Sequence, residues 1–362
     1  MNLAKSLRTI ATLAGFGVAA WLLARLFSQT NPAAVAAAAS HAGPWVALAV
    51  VPFGVGMTID ALGLLVLVRA LGHRVGLRQV LPVRLASEAL HITMPAGFLA
   101  SDAAHAVLLE RQCGVPVRDG LVASIARKWL VMRSHALYIA FGAAVGAAAL
   151  AKVSAGLFGR PGLVWVVAAS ALVPVATSSA IGAGLLGRST FSRLHGALAK
   201  LPFRRVARWV EATRHHAATT DEQVGRLRGE RRSIVLGTAA FLGCWCFESL
   251  ESFLLLRLVG ADVALGGVFA IEAGLSLVRS AAILAPSGLG VVDLGYATVL
   301  PFLGADGGAA PAFVILKRAK ELVWVIVGYA ILGVMRARSP GKAPAPVPST
   351  EPVGWRASAS SG

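Results

Sequence analysis

Long uninterrupted apolar stretches dominate this sequence, and several are long enough to cross a bilayer. A helix needs roughly 20 residues to span a hydrocarbon core about 30 Å thick. The mean hydropathy is +0.71 and only 14% of the 362 residues are charged, whereas soluble domains carry about 25%. The composition therefore excludes an ordinary soluble domain and predicts an all-α polytopic membrane protein. The predicted spans are Ile10–Phe27, Pro44–Val68, Leu121–Leu150, Leu163–Leu186, Ile234–Leu256 and Ala312–Val334.

Basic residues concentrate between the spans, and their distribution predicts how the chain is oriented. Lys and Arg favour the cytoplasmic side of a membrane. Lys5 and Arg8 precede the first span, the loop 28–43 contains neither residue type, and the basic residues after the second span include Arg84. With the basic loop 187–233, this pattern predicts cytoplasmic termini and accounts for the net charge of +17 without nucleic acid as a partner. The first apolar run is longer than that of a signal peptide, which favours a retained span over cleavage.

Two further apolar stretches, at about 80–118 and 262–305, complete the predicted membrane region. The orientation requires each to enter and leave on one face, as a re-entrant hairpin or as an ordinary pair of spans. The basic loop 187–233 also has apolar residues at helical spacing, which predicts contact with the anionic inner leaflet, with a solvated loop as the alternative. The Pro-, Ala- and Ser-rich tail 336–362 is predicted to be disordered and cytoplasmic.

A short motif occurs twice in the sequence, and its two copies are 191 residues apart. Each copy has a proline, a glycine two residues later and an aspartate seven residues after the proline. Self-similarity at a fixed offset is the signature of a repeated structural unit. The copies are Pro95, Gly97 and Asp102 in the first half, and Pro286, Gly288 and Asp293 in the second; the same offset places Arg127 on Arg318, Asp60 on Glu251 and Glu88 on Arg279.

The repeat predicts two membrane halves, at 10–150 and 151–335, after a short cytoplasmic segment 1–9. Three crossings in each half would invert the second half relative to the first, as in many transporters. Proline and glycine interrupt helices, and the backbone groups freed by a break must face protein or water rather than lipid. We therefore expect two inverted-topology repeats with about six full transmembrane helices and two broken-helix hairpins that face a polar cavity.

Ionisable residues deep in apolar spans are the candidate functional residues, because each costs a few kcal/mol unless it is paired or hydrated. Arg127 lies about six residues into its span, which is a depth of roughly 9 Å at 1.5 Å per residue. Arg318 is comparably placed in its own span. A guanidinium binds phosphate through parallel hydrogen bonds, which favours anion binding; neutralisation by nearby acids is the alternative. The predicted substrate-binding residues are Arg127, Arg318, Asp102, Asp293, Glu88 and Arg279; Asp60, Glu251 and His105 are predicted to pair charges or carry protons.

No motif in the sequence indicates catalysis or a bound cofactor. The three cysteines have neither disulfide-framework nor zinc-site spacing, and nucleotide-binding and hydrolase motifs are absent. We therefore predict no metal, no cofactor and no catalytic residue.

Two segments resemble the lysylphosphatidylglycerol synthase transmembrane family, which comprises flippase-like proteins of the bacterial inner membrane. The first runs from Met94 to Arg111 and is followed by the helix of Arg127, and the second ends at Asp293. His105 stands where the family usually has arginine, and Asp293 replaces a glutamate. The resemblance implies translocation or carriage of a lipid in the bacterial inner membrane, and short members are linked to hopanoid or polyprenyl-phosphate lipids. The aminoacyl-transferase domain of the full-length synthases is not expected here.

We therefore expect a lipid flippase or transporter for an anionic or isoprenoid-type lipid. Its expected partners are membrane lipids and lipid-biosynthesis enzymes. Two alternatives remain open at this point: a membrane enzyme that modifies a lipid headgroup, and a non-catalytic scaffold for envelope lipid synthesis.

Overall fold

The computed structural model describes residues 33, 36–37, 40–41, 43–94, 97–186, 225–227, 229–281, 288–305 and 308–338. The predicted first span, most of the basic loop and residues 339–362 of the predicted tail lie outside these residues, as do Pro95 and Pro286. Residues 336–338, which the sequence assigned to the disordered tail, are helical. Within the described ranges the regular structure is helical and contains no strand, which agrees with the predicted all-α class.

Eleven α-helices of the described residues make up the fold. A 3-10 helix, Gly43–Val50, leads directly into the first of them, and a second 3-10 helix, Leu300–Leu303, follows the tenth. The helices are α1 (Val51–Ala70), α2 (Leu77–Thr93), α3 (Gly97–Cys113), α4 (Val117–Val145), α5 (Ala147–Phe158), α6 (Leu163–Ser170), α7 (Leu172–Leu186), α8 (Arg231–Leu258), α9 (Leu265–Ala281), α10 (Val291–Val299) and α11 (Ala309–Arg338).

Three helical stretches among the described residues are long and apolar enough to cross a membrane: Gly43–Ala70, Leu163–Gly184 and Arg231–Leu258. They coincide with three of the predicted spans. The predicted span Leu121–Leu150 falls on α4 and the start of α5, which are apolar enough to cross a membrane only as a pair and meet at a bend of 76°. At the bend, Gly146 packs so closely on α9 that a Cβ would lie 2.5 Å from the carbonyl oxygen of Gly266, so the chain turns where it contacts its neighbour.

The order of the helices in the first half is repeated in the second. Shifted by 191 residues, α2 falls on 268–284 and α4 falls on 308–336, within three residues of the bounds of α9 and α11. The stretch Gly43–Ala70 falls on 234–261 in the same way, close to α8. The helix order is therefore the one that the sequence repeat requires, whereas the inverted orientation of the two halves stays a prediction.

The helices of the two halves interlock around the α1–α8 contact. Helix α2 packs on α11 of the other half, and helix α9 packs on α4 in the same manner. Fully buried apolar side chains fill both halves, with Leu64 and Leu130 in the first and Leu255 and Phe313 in the second. Both α2 and α9 are thereby held by long helices of the two halves.

One expectation drawn from the basic residues is wrong at Arg84. The sequence places it among cytoplasmic loop residues, but it lies in the middle of α2 and is 7% exposed. Its guanidinium is neutralised by Asp60 and Glu88, which is why a charged residue is tolerated inside the helix bundle. Because α2 therefore carries internal charges, its composition resembles that of a loop.

The close approach of α11 and α2 depends on Gly328. A Cβ at this position would lie 2.6 Å from the Cβ of Ala89 and 2.7 Å from the carbonyl oxygen of Leu85. We expect Gly328→Leu to separate the helices and to destabilise the fold by about 1–3 kcal/mol or more. A Cβ added at Gly333, on the same helix, would have no neighbouring helix of the described part of the chain within 4 Å, so Gly333→Leu is the matched control. Thermal denaturation in detergent should give a lower Tm for the first variant alone; equal Tm values would contradict this contact.

Candidate functional site

Two cavities of about 300 Å³ and about 260 Å³ adjoin in the interior of the helix bundle, and we call them cavity A and cavity B. Cavity A is lined mainly by α1, α2, α3, α4 and α8, whereas α9 and α11 contribute to cavity B. Their common wall comes from α1, α2 and α8. The residues that line both cavities are Met57, Glu88, His91, Cys244, Trp245 and Glu248.

An alternating chain of four charged groups forms one side of cavity A. The carboxylate of Asp60, which is buried, accepts hydrogen bonds from Nε of Arg84 at 2.6 Å and from Nε of Arg127 at 3.1 Å. Arg127 also donates to the second oxygen of Asp60. Arg84 donates to Glu88 at 2.6 Å. Asp60 thus has two guanidinium partners, and loss of either one leaves it paired.

A second group of polar residues completes cavity A. Lys128 forms an ion pair with Asp102, and about a third of each side chain is exposed. His105 is buried, and its Nδ1 lies 3.0 Å from Oγ of Ser124. Its Nε2 has no hydrogen-bond partner among the residues that the structure describes. Cavity A therefore combines paired charges with one buried ring nitrogen whose hydrogen-bonding capacity is unused by these residues.

Arg318 is the central guanidinium of cavity B. Its Nε and one terminal nitrogen donate to Asp293 at 2.9 and 2.7 Å, and its other terminal nitrogen donates to Glu321 at 2.5 Å. Asp293 also accepts from the backbone N–H of Gly290 at 2.8 Å, so the start of α10 fixes this carboxylate. Arg318 is therefore one guanidinium between two carboxylates, whereas Asp60 in cavity A is one carboxylate between two guanidinium groups.

Two further ion pairs line cavity B and come from different helices. Arg279 of α9 donates to Glu248 of α8 at 2.8 Å, and Lys320 of α11 donates to Glu251 of α8. The Lys320–Glu251 pair is almost fully buried. Since Glu248 also lines cavity A, its pairing with Arg279 joins the two cavities electrostatically.

A compact polar cluster lies at the edge of cavity B. Lys317 donates to Glu272 at 2.8 Å and to Ser252 at 2.7 Å, and its Nζ lies 3.0 Å from the hydroxyl of Tyr296. The Tyr296 hydroxyl donates to the Glu272 carboxylate at 2.8 Å. All four side chains are buried. Because each polar group is satisfied within the cluster, we assign it a structural role in joining α8, α9, α10 and α11.

The structure brings nearly all of the predicted site residues to the two cavities. Of the predicted substrate-binding residues, only Asp293 lines neither cavity, and it accepts hydrogen bonds from Arg318, which lines cavity B. Asp60 and His105 line cavity A, and Glu251 lines cavity B. Gly97 begins α3, and Gly288 has a φ of +67°, which favours glycine. The roles assigned to these residues stay predictions.

Neutralisation by nearby acids, the alternative that the sequence left open, is present at Arg127 and Arg318. In this structure Arg127 contacts Asp60, and Arg318 contacts Asp293. Sequence reasoning missed Arg84 as a member of the charged interior. A signal existed for Arg84, since Glu88 follows it at the i,i+4 spacing of a helical ion pair. No group of His, Cys, Asp and Glu side chains in the described residues is arranged to hold a metal ion.

The described part of the chain is helical throughout its regular structure, with several apolar helices and ion-paired side chains in its interior, and this combination defines a polytopic membrane protein. A comparison with protein-family models matches residues 12–328 to the family described as Lysylphosphatidylglycerol synthase TM region. The chain therefore belongs to this family, and its membership links it to lipid biosynthesis or translocation. A search of curated proteins finds no match.

Proposed function

We propose that this protein is a flippase for an anionic lipid, whose headgroup moves through cavities A and B while its hydrocarbon chains stay in the bilayer. The observation that carries this proposal is the common wall of two charged cavities inside a membrane protein. A headgroup phosphate is strongly disfavoured in hydrocarbon, and a continuous row of ionised side chains lowers that cost. Membership of a family linked to lipid biosynthesis or translocation supports the same conclusion.

The sizes of the cavities favour a headgroup over a whole lipid. Ligand pockets commonly have volumes of about 300–1,000 Å³; cavity A, at about 300 Å³, lies at the lower limit of this range, and cavity B, at about 260 Å³, lies just below it. Each is suited to a phosphate with a small substituent. The chains of the lipid therefore have to remain outside.

The arrangement of the ion pairs supports exchange of a carboxylate for a phosphate. When Arg127 turns to a phosphate, Asp60 keeps Arg84 as a partner. When Arg318 releases Glu321 to bind a phosphate, it keeps Asp293. In the first exchange Asp60 stays paired, and in the second Arg318 never loses its charge partner, although Glu321 must be hydrated or bind elsewhere. An unpaired buried charge is the main energetic obstacle to such an exchange.

The cargo that fits these contacts is a lipid with a phosphate, either a glycerophospholipid or an isoprenoid phosphate of the polyprenyl-phosphate type. The wider proposal includes a bacterial inner-membrane location, cytoplasmic termini, inverted halves and re-entrant hairpins. Contacts with lipid-biosynthesis enzymes and with the anionic inner leaflet through residues 187–233 belong to it as well. The protein itself is proposed to leave the lipid chemically unchanged.

Reconstitution of the purified chain in liposomes tests this function. Fluorescent phosphatidylglycerol with its label on a chain is included in both leaflets, and dithionite added outside reduces only the label that reaches the outer leaflet. We expect nearly complete reduction with the protein and reduction of the outer leaflet alone without it. Mass spectrometry of the recovered lipid distinguishes the alternatives: a changed mass would indicate an enzyme, and unchanged lipid that stays in its leaflet would indicate a scaffold.

A further inference from the structure

A third, smaller cavity of about 170 Å³ lies between α4, α6, α7 and α9, and we call it the side pocket. Its wall is mostly apolar and includes Ile139, Val173 and Leu277. None of the ion pairs described above lines it. The side pocket therefore offers an environment for hydrocarbon beside the charged interior.

The side pocket adjoins cavity A at Met132, whose side chain lines both. The pocket is also lined by α7, where Val173 is 54% exposed. The stretch Leu163–Gly184 is strongly apolar and little buried, which is expected of a helix that contacts lipid. The side pocket thus lies between a charged cavity and the apolar outer surface of the protein.

His135 is the titratable side chain that lines this largely apolar pocket. The side chain is 6% exposed, and its ring stacks on Trp245 with the ring centroids 4.2 Å apart. Trp245 lines both cavity A and cavity B, so the stack separates the charged interior from the side pocket. The Nε2 atom of His135 is buried, and no described residue provides it with a hydrogen-bond partner. A buried polar atom without a partner is costly, and a ligand atom in the pocket would satisfy it.

We infer that the side pocket is a lateral portal through which the chains of the cargo lipid extend from cavity A into the bilayer, and that His135 binds an ester carbonyl at the root of a chain. This inference rests on the proposed function. His135 follows Met132 by about 4.5 Å along α4, a separation comparable to that between a headgroup phosphate and the ester groups of a glycerophospholipid. Met132 is an unbranched, flexible side chain that can move aside for a chain.

The first test locates the chains directly. The protein in nanodiscs is irradiated with a phosphatidylglycerol that has a diazirine near the ester end of one chain, and mass spectrometry maps the crosslinks. We expect crosslinks at Met132, Val173 and Thr177, and we expect Thr177→Phe to reduce them severalfold by narrowing the pocket. Val235→Phe is the control, because Val235 is exposed on α8 and lines none of the three cavities. Crosslinks found only outside the side pocket would overturn the portal. An equal loss of crosslinks in the Val235→Phe control would overturn it as well.

The second test concerns the ester carbonyl. A hydrogen bond of ordinary strength should make crosslinking of a diester lipid about twofold to tenfold stronger than that of the matching diether lipid. His135→Phe keeps an aromatic ring against Trp245 and should abolish this preference, whereas His135→Gln should retain part of it. Equal yields from both lipids in the unmodified protein would mean that Nε2 binds water instead, and would overturn the role of His135.

The two proposals fail in distinguishable ways. Translocation in liposomes without crosslinks in the side pocket would overturn the portal and leave the proposed function intact. Crosslinks in the side pocket without translocation would overturn the flippase function and leave a lipid-binding site whose chain position is as inferred.

Discussion

Headgroup translocation is expected to stop when Arg127 and Arg318 are both replaced by glutamine. Each guanidinium offers charge-assisted hydrogen bonds worth about 1.5–3 kcal/mol to a phosphate. Loss of both should therefore slow translocation by at least about 100-fold. The two single variants should each show a smaller loss. The measurement is the dithionite assay with chain-labelled phosphatidylglycerol.

The double variant is expected to fold because the site contains alternative partners. Asp60 keeps Arg84 when Arg127 is removed, and Asp293 keeps the backbone N–H of Gly290 when Arg318 is removed. Size-exclusion chromatography and Tm establish that the variant is folded. Arg257→Gln is the control, because Arg257 forms an exposed ion pair with Asp262 away from the cavities. A folded double variant that moves lipid at the unmodified rate would remove both arginines from the mechanism.

The largest loss of stability is expected from Lys317→Met. The change removes the cation that contacts the buried Glu272 carboxylate at 2.8 Å and leaves Arg279, at 3.9 Å, and the Tyr296 hydroxyl as its partners. Removing one partner of a buried ion pair commonly costs about 3–5 kcal/mol, so the Tm should fall by many degrees or the chain should fail to accumulate. Thermal denaturation of the purified protein is the measurement.

A second substitution separates this explanation from a simple packing effect. Replacing Glu272 with glutamine in the Lys317→Met background removes the buried carboxylate charge while Arg279 keeps Glu248, and it should restore most of the lost stability. Arg257→Met, which breaks an exposed pair, should change stability by no more than about 1 kcal/mol. If the double variant is no more stable than Lys317→Met alone, the charge of Glu272 is not the cause.

Much of the architecture could be predicted because bilayer spans have a strong compositional signal. Gly43–Ala70 and Arg231–Leu258 are long and apolar, and hydropathy alone finds them. The repeat at 191 residues predicted the order of α1 to α4 and of α8 to α11, since the same helix breakers recur at the same distance. These features depend on local sequence, and local sequence is sufficient to recognise them.

Features that depend on tertiary pairing could not be predicted. Arg84 and Glu88 make α2 resemble a loop, and only its packing against Asp60 of α1 shows why the charges are buried. The bend between α4 and α5 arises where Gly146 contacts α9, a neighbour more than 100 residues away. The sequence supplied many of the charged residues that line the cavities, but which carboxylate contacts which cation is decided by the fold.

The central claim is that the lipid headgroup moves between cavity A and cavity B along the wall that they share. Cys244 lies in that wall. A variant with Cys113 and Cys246 replaced by alanine leaves Cys244 as the single thiol in the chain. The measurement is lipid translocation after this thiol is modified with a negatively charged methanethiosulfonate and again after reduction. We predict that modification blocks translocation and that reduction restores it, whereas modification of a single-cysteine variant that keeps only Cys113 has no effect. Complete modification of Cys244 with translocation unchanged would show that the headgroup takes another route.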